Sequence, residues 1–347
     1  MRANPIMVTR AIVAWLIALT MIGHGFAAEP VLPQVDAAVA KGLVYLARQQ
    51  QADGSFTPLD EQGPRVAPAA GALIAFLSTG QTPANGRHAL VVRNAIDFIV
   101  RQLPEDGDFG RADSSASKGQ ALIMTALAEA HGLESDPALR RPIREALERS
   151  ARFIRMAQHQ ESGGWANDGR GSGELMTTLW MTLALRAARD AGVEIPDKHF
   201  ERAAAFVRKC HRQNPAGYAD HGGPTISSNT AALSILMLTV PRQGLQAKAA
   251  LKALDALSQE KAGDFYDMAF AATLGGIFSD DAATISGWRS PLMAKQQAED
   301  GSWAPMNSPP YGLGTVSATS SAVLTLSLPY RLLPVLDKAA PVPSPPH

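Results

Sequence analysis

Two kinds of helical pattern alternate along the chain. In the first kind, apolar residues recur at helical spacing on one face, as Ile143 and Leu147 do, while charged residues such as Arg144 occupy the other face. In the second kind, apolar residues continue nearly all round the helix, as in residues 175–185. A helix without a polar face must be buried, so the pattern predicts an inner layer of apolar helices and an outer layer of amphipathic ones.

A short turn follows each amphipathic helix and recurs six times. Residues 50–56, Gln-Gln-Ala-Asp-Gly-Ser-Phe, return as residues 297–303, Gln-Ala-Glu-Asp-Gly-Ser-Trp, and four looser copies lie between them. The intervals between the aromatic residues that end successive turns are 53, 56, 53, 47 and 38 residues. Six such units predict an all-α fold with two concentric shells of six helices, an α6/α6 toroid. The alternative is an open solenoid, which needs terminal repeats with polar outer faces that the sequence does not show.

The residues of these turns are expected to have structural roles. Glycine can adopt the positive φ that ends a helix, aspartate can accept hydrogen bonds from nearby backbone amides, and the aromatic ring can pack back between helices. The residues so assigned are Gln50, Asp53, Gly54, Phe56, Phe109, Trp165, Tyr218, Phe265, Gln297, Asp300, Gly301 and Trp303.

The two ends of the chain differ in composition from the repeats. Residues 1–27 combine a basic flank, an apolar stretch and small residues at the expected cleavage positions, which predicts a signal peptide and an extracytoplasmic location, periplasmic or secreted. The alternative for this segment is an uncleaved membrane anchor; no other membrane span is expected. Residues 28–335 are assigned to the toroid, and the Pro-rich residues 336–347 to a disordered tail.

Composition narrows the classes of protein further. A hydrophobic content of 46% with only 6% aromatic residues favours an Ala- and Leu-rich helical core. The 32 basic residues balance 32 acidic ones, which argues against a nucleic-acid-binding protein. The single cysteine, Cys210, cannot form an intramolecular disulfide. The oligomeric state is not indicated.

The first repeat carries the pattern most completely. Its defined positions are Lys41, Gly42, Tyr45, Leu46, Gln50, Gly54 and Phe56. The second repeat keeps the spacing but has Leu103 where glutamine is expected. The repeat resembles the QW motif of the prenyltransferase and squalene oxidase repeat superfamily, which includes squalene–hopene cyclases and protein prenyltransferase β-subunits. The resemblance covers residues 35–335 and implies an α/α toroid, like those of terpene cyclases, whose central cavity holds isoprenoid chains.

The chemistry of that superfamily is not evident in the sequence. Its cyclases use an Asp-x-Asp-Asp run, and the nearest segments here, residues 264–267 and 280–281, do not spell it. Its prenyltransferases bind zinc through Asp, Cys and His, whereas Cys210 and His211 are adjacent on one helix and do not face the same point. We therefore predict no metal and no cofactor.

The long polar loops all connect an outer helix to the next inner helix, so they are expected to form one rim of the barrel and the mouth of a binding site. Asp220 and His221 could act there as an acid–base pair, and Glu174 and Asp267 are further catalytic candidates. A solvated loop is the alternative for all four.

The candidates for lining an apolar cavity, which could instead be ordinary core residues, are Phe76, Trp180, Met181, Phe270 and Tyr311.

The sequence leaves open whether the protein is an enzyme. The leading hypothesis is an exported toroid that binds a hydrophobic or extended ligand in its central cavity, either an isoprenoid or lipid-like molecule or an extended peptide or glycan. One alternative is a terpene-cyclase-like isomerase whose acid has moved to another position. The other is a carbohydrate-active toroid that uses rim carboxylates such as Glu174 and Asp220.

Overall fold

Helices account for the regular structure that the computed structural model describes. It describes residues 33–56, 66–109, 116–167, 169, 171–213, 218–220, 226–239, 294, 296–305 and 314–336. The α-helices within these ranges are α1 (Pro33–Gln49), α2 (Val66–Leu77), α3 (Ala89–Arg101), α4 (Ala116–Leu133), α5 (Pro137–Ala157), α6 (Leu175–Asp190), α7 (Lys198–Gln213), α8 (Ile226–Thr239) and α9 (Gly314–Ser327). Two short 3₁₀ helices follow, Leu328–Tyr330 and Pro334–Leu336. No strand occurs in these ranges, so the all-α class is confirmed.

The apolar helices pack side by side as an inner layer. All twelve residues of α2 are buried, as expected for a helix with no polar face. Helix α2 packs against α4, α4 against α6, and α6 against α8. Helix α9, from the far end of the chain, packs against α2 and so brings the last described inner helix back to the first.

The amphipathic helices form an outer layer over the grooves between inner helices. In α5 the buried positions include Leu139, Ile143 and Leu147, one apolar stripe at helical spacing. Helix α3 contacts α2 and α4, α5 contacts α4 and α6, and α7 contacts α6 and α8. Helix α1 contacts α2 and also α9, so the first outer helix covers the junction of the first and last inner helices.

A glutamine side chain in three of the turns joins its own repeat to the next outer helix. The Nε2 of Gln50 donates to the carbonyl of Val91 at 2.9 Å, and that of Gln158 donates to the carbonyl of His199 at 3.0 Å. The Nε2 of Gln297 donates to the carbonyl of Ala38 in α1 at 2.8 Å. The same bond that links consecutive repeats therefore also joins the last turn to the first helix, and it closes the ring.

Glycine in these turns allows a close approach to the next outer helix. Gly301 has a φ of 93°, and a Cβ there would lie 2.5 Å from the carbonyl oxygen of Lys41. Trp303, which is fully buried, packs over Gly42 of α1, where a Cβ would lie 2.9 Å from the indole ring. Alanine at either glycine would therefore force the last turn away from α1.

The inner helices supply polar partners to the turns. The backbone N–H of four aromatic turn residues donates to a side-chain oxygen 11 to 16 residues further along the chain. The pairs are Phe109 with Gln120 at 2.7 Å, Trp165 with Thr178 at 3.0 Å, Tyr218 with Asn229 at 2.8 Å, and Trp303 with Thr319 at 3.0 Å. The buried polar residues of the inner helices thus fix the turns to the inner layer.

The chain segment after α9 crosses the carboxyl ends of inner helices. Leu332 approaches Gly80 at the end of α2, and Pro334 approaches Gly132 near the end of α4. The 3₁₀ helix Pro334–Leu336 packs against α4 and α6, with Val335 and Leu336 buried. This end of the inner layer is therefore covered by the chain itself.

Several predictions concern residues outside the described ranges. The signal peptide in residues 1–27, residues 337–347 of the predicted tail and the fifth turn at Phe265 all lie there. Leu336, which was also assigned to the tail, is buried in a 3₁₀ helix. The count of six helices in each shell depends in part on residues 240–293, which also lie outside, and it stays a prediction. No helix in the part of the chain that the structure describes is long and apolar enough to cross a membrane.

Candidate ligand pocket at the centre of the inner layer

A pocket lies between the inner faces of the apolar helices. The space between the lining residues amounts to about 320 Å³, a figure that includes space open to solvent. Helix α2 contributes residues at helical spacing, α9 contributes the facing wall, and α4 and α6 contribute one residue each. The lining residues are Ala67, Gly71, Ile74, Leu122, Trp180, Ser317, Ser320, Ser321 and Leu324. None of these nine side chains is charged, and six of them are apolar or glycine.

Small residues create the space in the pocket. A Cβ at Gly71 would lie 3.4 Å from the Cβ of Ser320 and 3.6 Å from a methyl group of Leu122, which are ordinary contacts. The φ of Gly71 is not positive, so its backbone does not require glycine. A larger side chain at this position would therefore extend into the pocket without straining the backbone.

The wall formed by α9 carries three hydroxyl groups. The Oγ atoms of Ser317 and Ser320 are buried and have no hydrogen-bond partner among the described residues. Ser320 is 2% exposed, and its Oγ would lie 3.7 Å from a Cβ at Gly71, so it faces the gap that this glycine leaves. A buried hydroxyl without a partner is costly, because it has lost its bonds to water without replacing them.

A buried carboxyl group lies near the covered end of the inner layer, away from the residues that line the pocket. Glu129 of α4 is 1% exposed, and its Oε2 accepts a hydrogen bond from the backbone N–H of Val335 at 3.4 Å. Burial raises the pKa of Glu129 to about 8, and the negative charge of Asp190 adds to the effect. Asp190 itself pairs with Arg186 at 2.8 Å. Glu129 is therefore protonated at neutral pH and serves the contact with the C-terminal segment.

The residues predicted to line the cavity have different positions. Trp180 lines the pocket. Phe76 is fully buried, but its ring packs against that of His88 with the centroids 5.2 Å apart, so it faces the outer layer. Met181 is fully buried and is not among the lining residues. Phe270 and Tyr311 lie outside the described residues.

Two of the predicted rim carboxylates meet at the start of α6. The backbone N–H of Leu175, the first residue of α6, donates to Oδ2 of Asp220 at 2.5 Å. Glu174 precedes this helix, and its Oε2 accepts a hydrogen bond from Oγ1 of Thr177 at 3.0 Å. Both carboxylates therefore interact with the first turn of α6, where the helix dipole favours negative charge. The other two candidates, His221 and Asp267, lie outside the described residues.

The only thiol of the chain lies in the core. Cys210 is 3% exposed, and burial together with the charge of Asp220 raises its pKa to about 11. A thiol with a raised pKa is a poor metal ligand and a poor nucleophile, because the thiolate is the reactive form. Within the described ranges no cluster of His, Cys, Asp and Glu could hold a metal ion.

Some of these features were not identified from the sequence. The serines of α9 were not among the candidate residues for the cavity. The buried polar residues Gln120, Thr178 and Thr319 were hidden within helices that are otherwise apolar. A polar residue within an otherwise apolar helix, 11 to 16 residues after a turn aromatic, was the signal that could have revealed them.

The fold is similar to that of solved terpene cyclases. A variant of the type II terpene cyclase MstE from Scytonema, solved in complex with its product merosterolic acid A, aligns with a TM-score of 0.51 and 14% sequence identity, covering 88% of this chain and 99% of that chain. An apo structure of MstE aligns with a TM-score of 0.40, 14% identity and coverage of 88% and 100%. No protein-family model matches the chain, and no curated protein is significantly similar to it. At this identity the likeness concerns the fold, and it confirms the predicted helical toroid.

Proposed function

We propose that this chain is an exported binding protein that holds a hydrophobic ligand, an isoprenoid or another lipid-like molecule, in the central pocket of its toroid. The observation that carries the proposal is the pocket itself, which is lined by small and apolar side chains without a charge. Such a surface favours apolar groups because they leave water when they bind, with about 25 cal/mol gained per Å² of apolar surface buried.

The fold supports the same class of ligand. The similar structure from Scytonema belongs to a terpene cyclase and was solved with its product, and the likeness spans 88% of this chain. The covered carboxyl end of the inner layer and the apolar lining would together keep a ligand away from water. The pocket therefore supports retention of an apolar molecule.

The alternative of an isomerase with a relocated acid requires a strong acid in contact with the ligand. Among the described residues, Glu129 is the carboxyl group that is buried within an inner helix, so we consider it as that acid. Its pKa, raised to about 8, makes it a weak acid, and its carboxyl group contacts Val335 of the C-terminal segment. Protonation of an alkene needs the opposite, a carboxyl group that releases its proton readily. These properties favour ligand binding over catalysis by Glu129.

The alternative of a carbohydrate-active enzyme depends on Glu174 and Asp220. Both carboxylates accept hydrogen bonds from the first turn of α6. A sugar site would place exposed aromatic rings beside such carboxylates, whereas the large hydrophobic residues that are exposed in the described ranges are Leu90, Met156 and Leu332. The arrangement at α6 therefore favours a structural role for the two carboxylates.

Mass spectrometry of molecules that co-purify with the natively produced protein tests the proposal. A matched control is Gly71→Leu, which fills the pocket at a position where the backbone accepts a side chain. We expect an isoprenoid or fatty chain in the wild-type sample and its loss from the control, with both proteins showing similar melting temperatures. Recovery of water and salts alone, or of the same lipid from both proteins, would contradict the proposal. Turnover of an added polyprenyl compound would instead favour the isomerase.

A further inference from the structure

The pocket combines an apolar surface with hydroxyl groups that are confined to one wall. Leu122, Trp180 and Leu324 provide the apolar surface, whereas Ser317 and Ser320 provide hydroxyl groups on α9. The two hydroxyls have no hydrogen-bond partner in the described part of the chain. Ser320 is also only 2% exposed, so bulk water has little access to its hydroxyl group. A ligand atom that can accept a hydrogen bond would remove this cost.

The position of the hydroxyl groups indicates where that atom would lie. Ser320 Oγ faces the gap beside Gly71, at 3.7 Å from the place where a Cβ would stand. Ser317 lies one helical turn nearer the start of α9, on the same wall. A single polar group of the ligand can therefore approach both serines, while its carbon chain contacts the opposite wall.

The residues that line the pocket indicate the charge of the ligand's polar group. None of the nine residues of the pocket wall is cationic, so a carboxylate or phosphate would lose its hydration without gaining an ion pair. A neutral oxygen has a much smaller desolvation cost. The chemistry therefore fits an alcohol or a carbonyl compound better than an acid or a phosphate ester.

Resting on the proposed binding function, we propose that the pocket selects an apolar chain that carries a neutral oxygen, a hydroxyl or a carbonyl group. Ser317 and Ser320 donate hydrogen bonds to this oxygen, and the indole of Trp180 packs against the carbon chain. The serines of α9 are thus the residues that determine specificity. Ligands of equal carbon skeleton are distinguished by whether they carry the oxygen.

Equilibrium dialysis of the full chain with matched ten-carbon ligands tests this specificity. The ligands are geraniol, its aldehyde, the carboxylate of the same skeleton, and the hydrocarbon in which the CH₂OH group is a methyl group, each quantified by gas chromatography. We expect the alcohol and the aldehyde to bind about tenfold more tightly than the hydrocarbon, the effect of one or two hydrogen bonds. The carboxylate should bind more weakly than the alcohol.

Two variants separate the role of the hydroxyls from effects on folding. The double variant Ser317→Ala with Ser320→Ala should bind the hydrocarbon at least as tightly as the alcohol, because the oxygen of the alcohol would be buried without a donor. Ser320→Ala alone should lower the preference for the alcohol. The control is Ser150→Ala, which removes another buried hydroxyl without a partner in the described residues, but on outer helix α5. It should keep the wild-type preference.

The outcomes distinguish this inference from the function on which it rests. Equal binding of alcohol and hydrocarbon by the wild-type protein would overturn the role of the serines and leave hydrophobic binding intact. Tighter binding of the carboxylate than of the alcohol would also overturn it. Binding of none of the four ligands by the wild-type protein would overturn the proposed function itself.

Discussion

Two neighbouring residues of α9 illustrate how the turns and the pocket differ. The Oγ1 of Thr319 accepts a hydrogen bond from the backbone N–H of Trp303 and so holds the last turn against the inner layer. Ser320, the next residue, faces the pocket, and its Oγ has no partner among the described residues. The same helix therefore stabilises the wall of the toroid on one side and offers a free hydroxyl to a ligand on the other.

This difference indicates that the turns contribute mainly to the stability of the fold, whereas the pocket contributes mainly to ligand binding. In the turns, Gln50, Gln158 and Gln297 satisfy backbone carbonyls of their own turn and of the next outer helix. In the pocket, the hydroxyl groups of Ser317 and Ser320 have no such partners among the described residues. Changes in the turns should alter the free energy of unfolding and leave ligand choice intact, whereas changes in the pocket should do the reverse.

The largest effect is expected at the turn that closes the ring. Trp303 is fully buried against Gly42, so Trp303→Ala should lower the free energy of unfolding by about 3–5 kcal/mol. Chemical denaturation monitored by circular dichroism measures the loss. The control is Leu90→Ala, because Leu90 is 70% exposed and should change the stability by less than about 0.5 kcal/mol. Equal stability of the Trp303 variant and the wild type would refute the structural role of this turn.

Glu129 offers a pH-dependent test at the covered end of the inner layer. Its pKa is raised from 4.5 to about 8, so the folded chain retains a proton that the unfolded chain loses, and its contribution to stability falls as the pH rises through this window. Glu129→Gln should remove that penalty and make the protein more stable than the wild type by about 5 kcal/mol at pH 9. At pH 4.5 the two should be nearly equal.

Melting temperatures of both proteins between pH 4.5 and pH 9 measure the effect of Glu129→Gln. The control is Glu145→Gln, which removes an exposed carboxylate that pairs with Arg141 at 3.3 Å. An exposed pair of this kind contributes about 0–1 kcal/mol, so this control should follow the wild type closely. A constant difference between Glu129→Gln and the wild type across the pH range would refute the protonated state of Glu129.

A smaller effect is expected for the glutamine that closes the ring. Gln297→Ala removes two hydrogen bonds, to the carbonyls of Ala38 and Gly301, and should lower the free energy of unfolding by about 2 kcal/mol. Thermal or chemical unfolding measures this loss. Gln51→Ala is the control, since Gln51 is exposed and bonds only locally, to the carbonyl of Gln49. If both variants lose the same free energy of unfolding, the hydrogen bond from Gln297 to the carbonyl of Ala38 does not stabilise the protein more than a local bond does.

The smallest effects compare the two neighbours on α9 directly. Thr319→Val keeps the shape of the side chain but leaves the buried N–H of Trp303 without its acceptor, and should cost about 1 kcal/mol. Ser320→Ala removes a buried hydroxyl without a partner in the described ranges, and should leave the stability unchanged or raise it by about 0.5 kcal/mol. Denaturant titration of the ligand-free proteins measures both. If Ser320→Ala destabilises the protein as much as Thr319→Val does, then the hydroxyl group of Ser320 contributes to folding in the same way as that of Thr319, which contradicts its assignment to the pocket.

The sequence predicted the fold better than the site for physical reasons. The turns repeat, and the requirement for a positive φ beside a packed helix restricts residues such as Gly54 and Gly301 to one type. The alternation of apolar and amphipathic helices likewise predicts directly which helices are buried in the inner layer and which lie in the outer layer. The repeat predicted that the ring closes. The hydrogen bond that joins its ends, from Gln297 to Ala38, connects positions 259 residues apart and could be identified only from the structure.

The site could be predicted only in part because a pocket has no local pattern. Trp180 and Phe76 both belong to inner helices, yet Trp180 lines the pocket and Phe76 packs against His88, since the direction of a side chain depends on the rotation of its helix. Nothing in the sequence distinguished Ser317 and Ser320 from other small residues, because their lack of hydrogen-bond partners among the described residues depends on the three-dimensional structure. The carboxyl group of Glu129 gave no signal at all, because its pKa depends on burial beneath the C-terminal segment.

Calorimetric titration of farnesol into the full chain and into Gly71→Leu is the most direct test of a hydrophobic ligand in the central pocket. We predict binding to the wild-type protein with a negative heat-capacity change, the mark of apolar surface burial, and no binding to the folded Gly71→Leu variant. Equal binding to both proteins would place the ligand elsewhere and contradict the account, as would the absence of binding to the wild type.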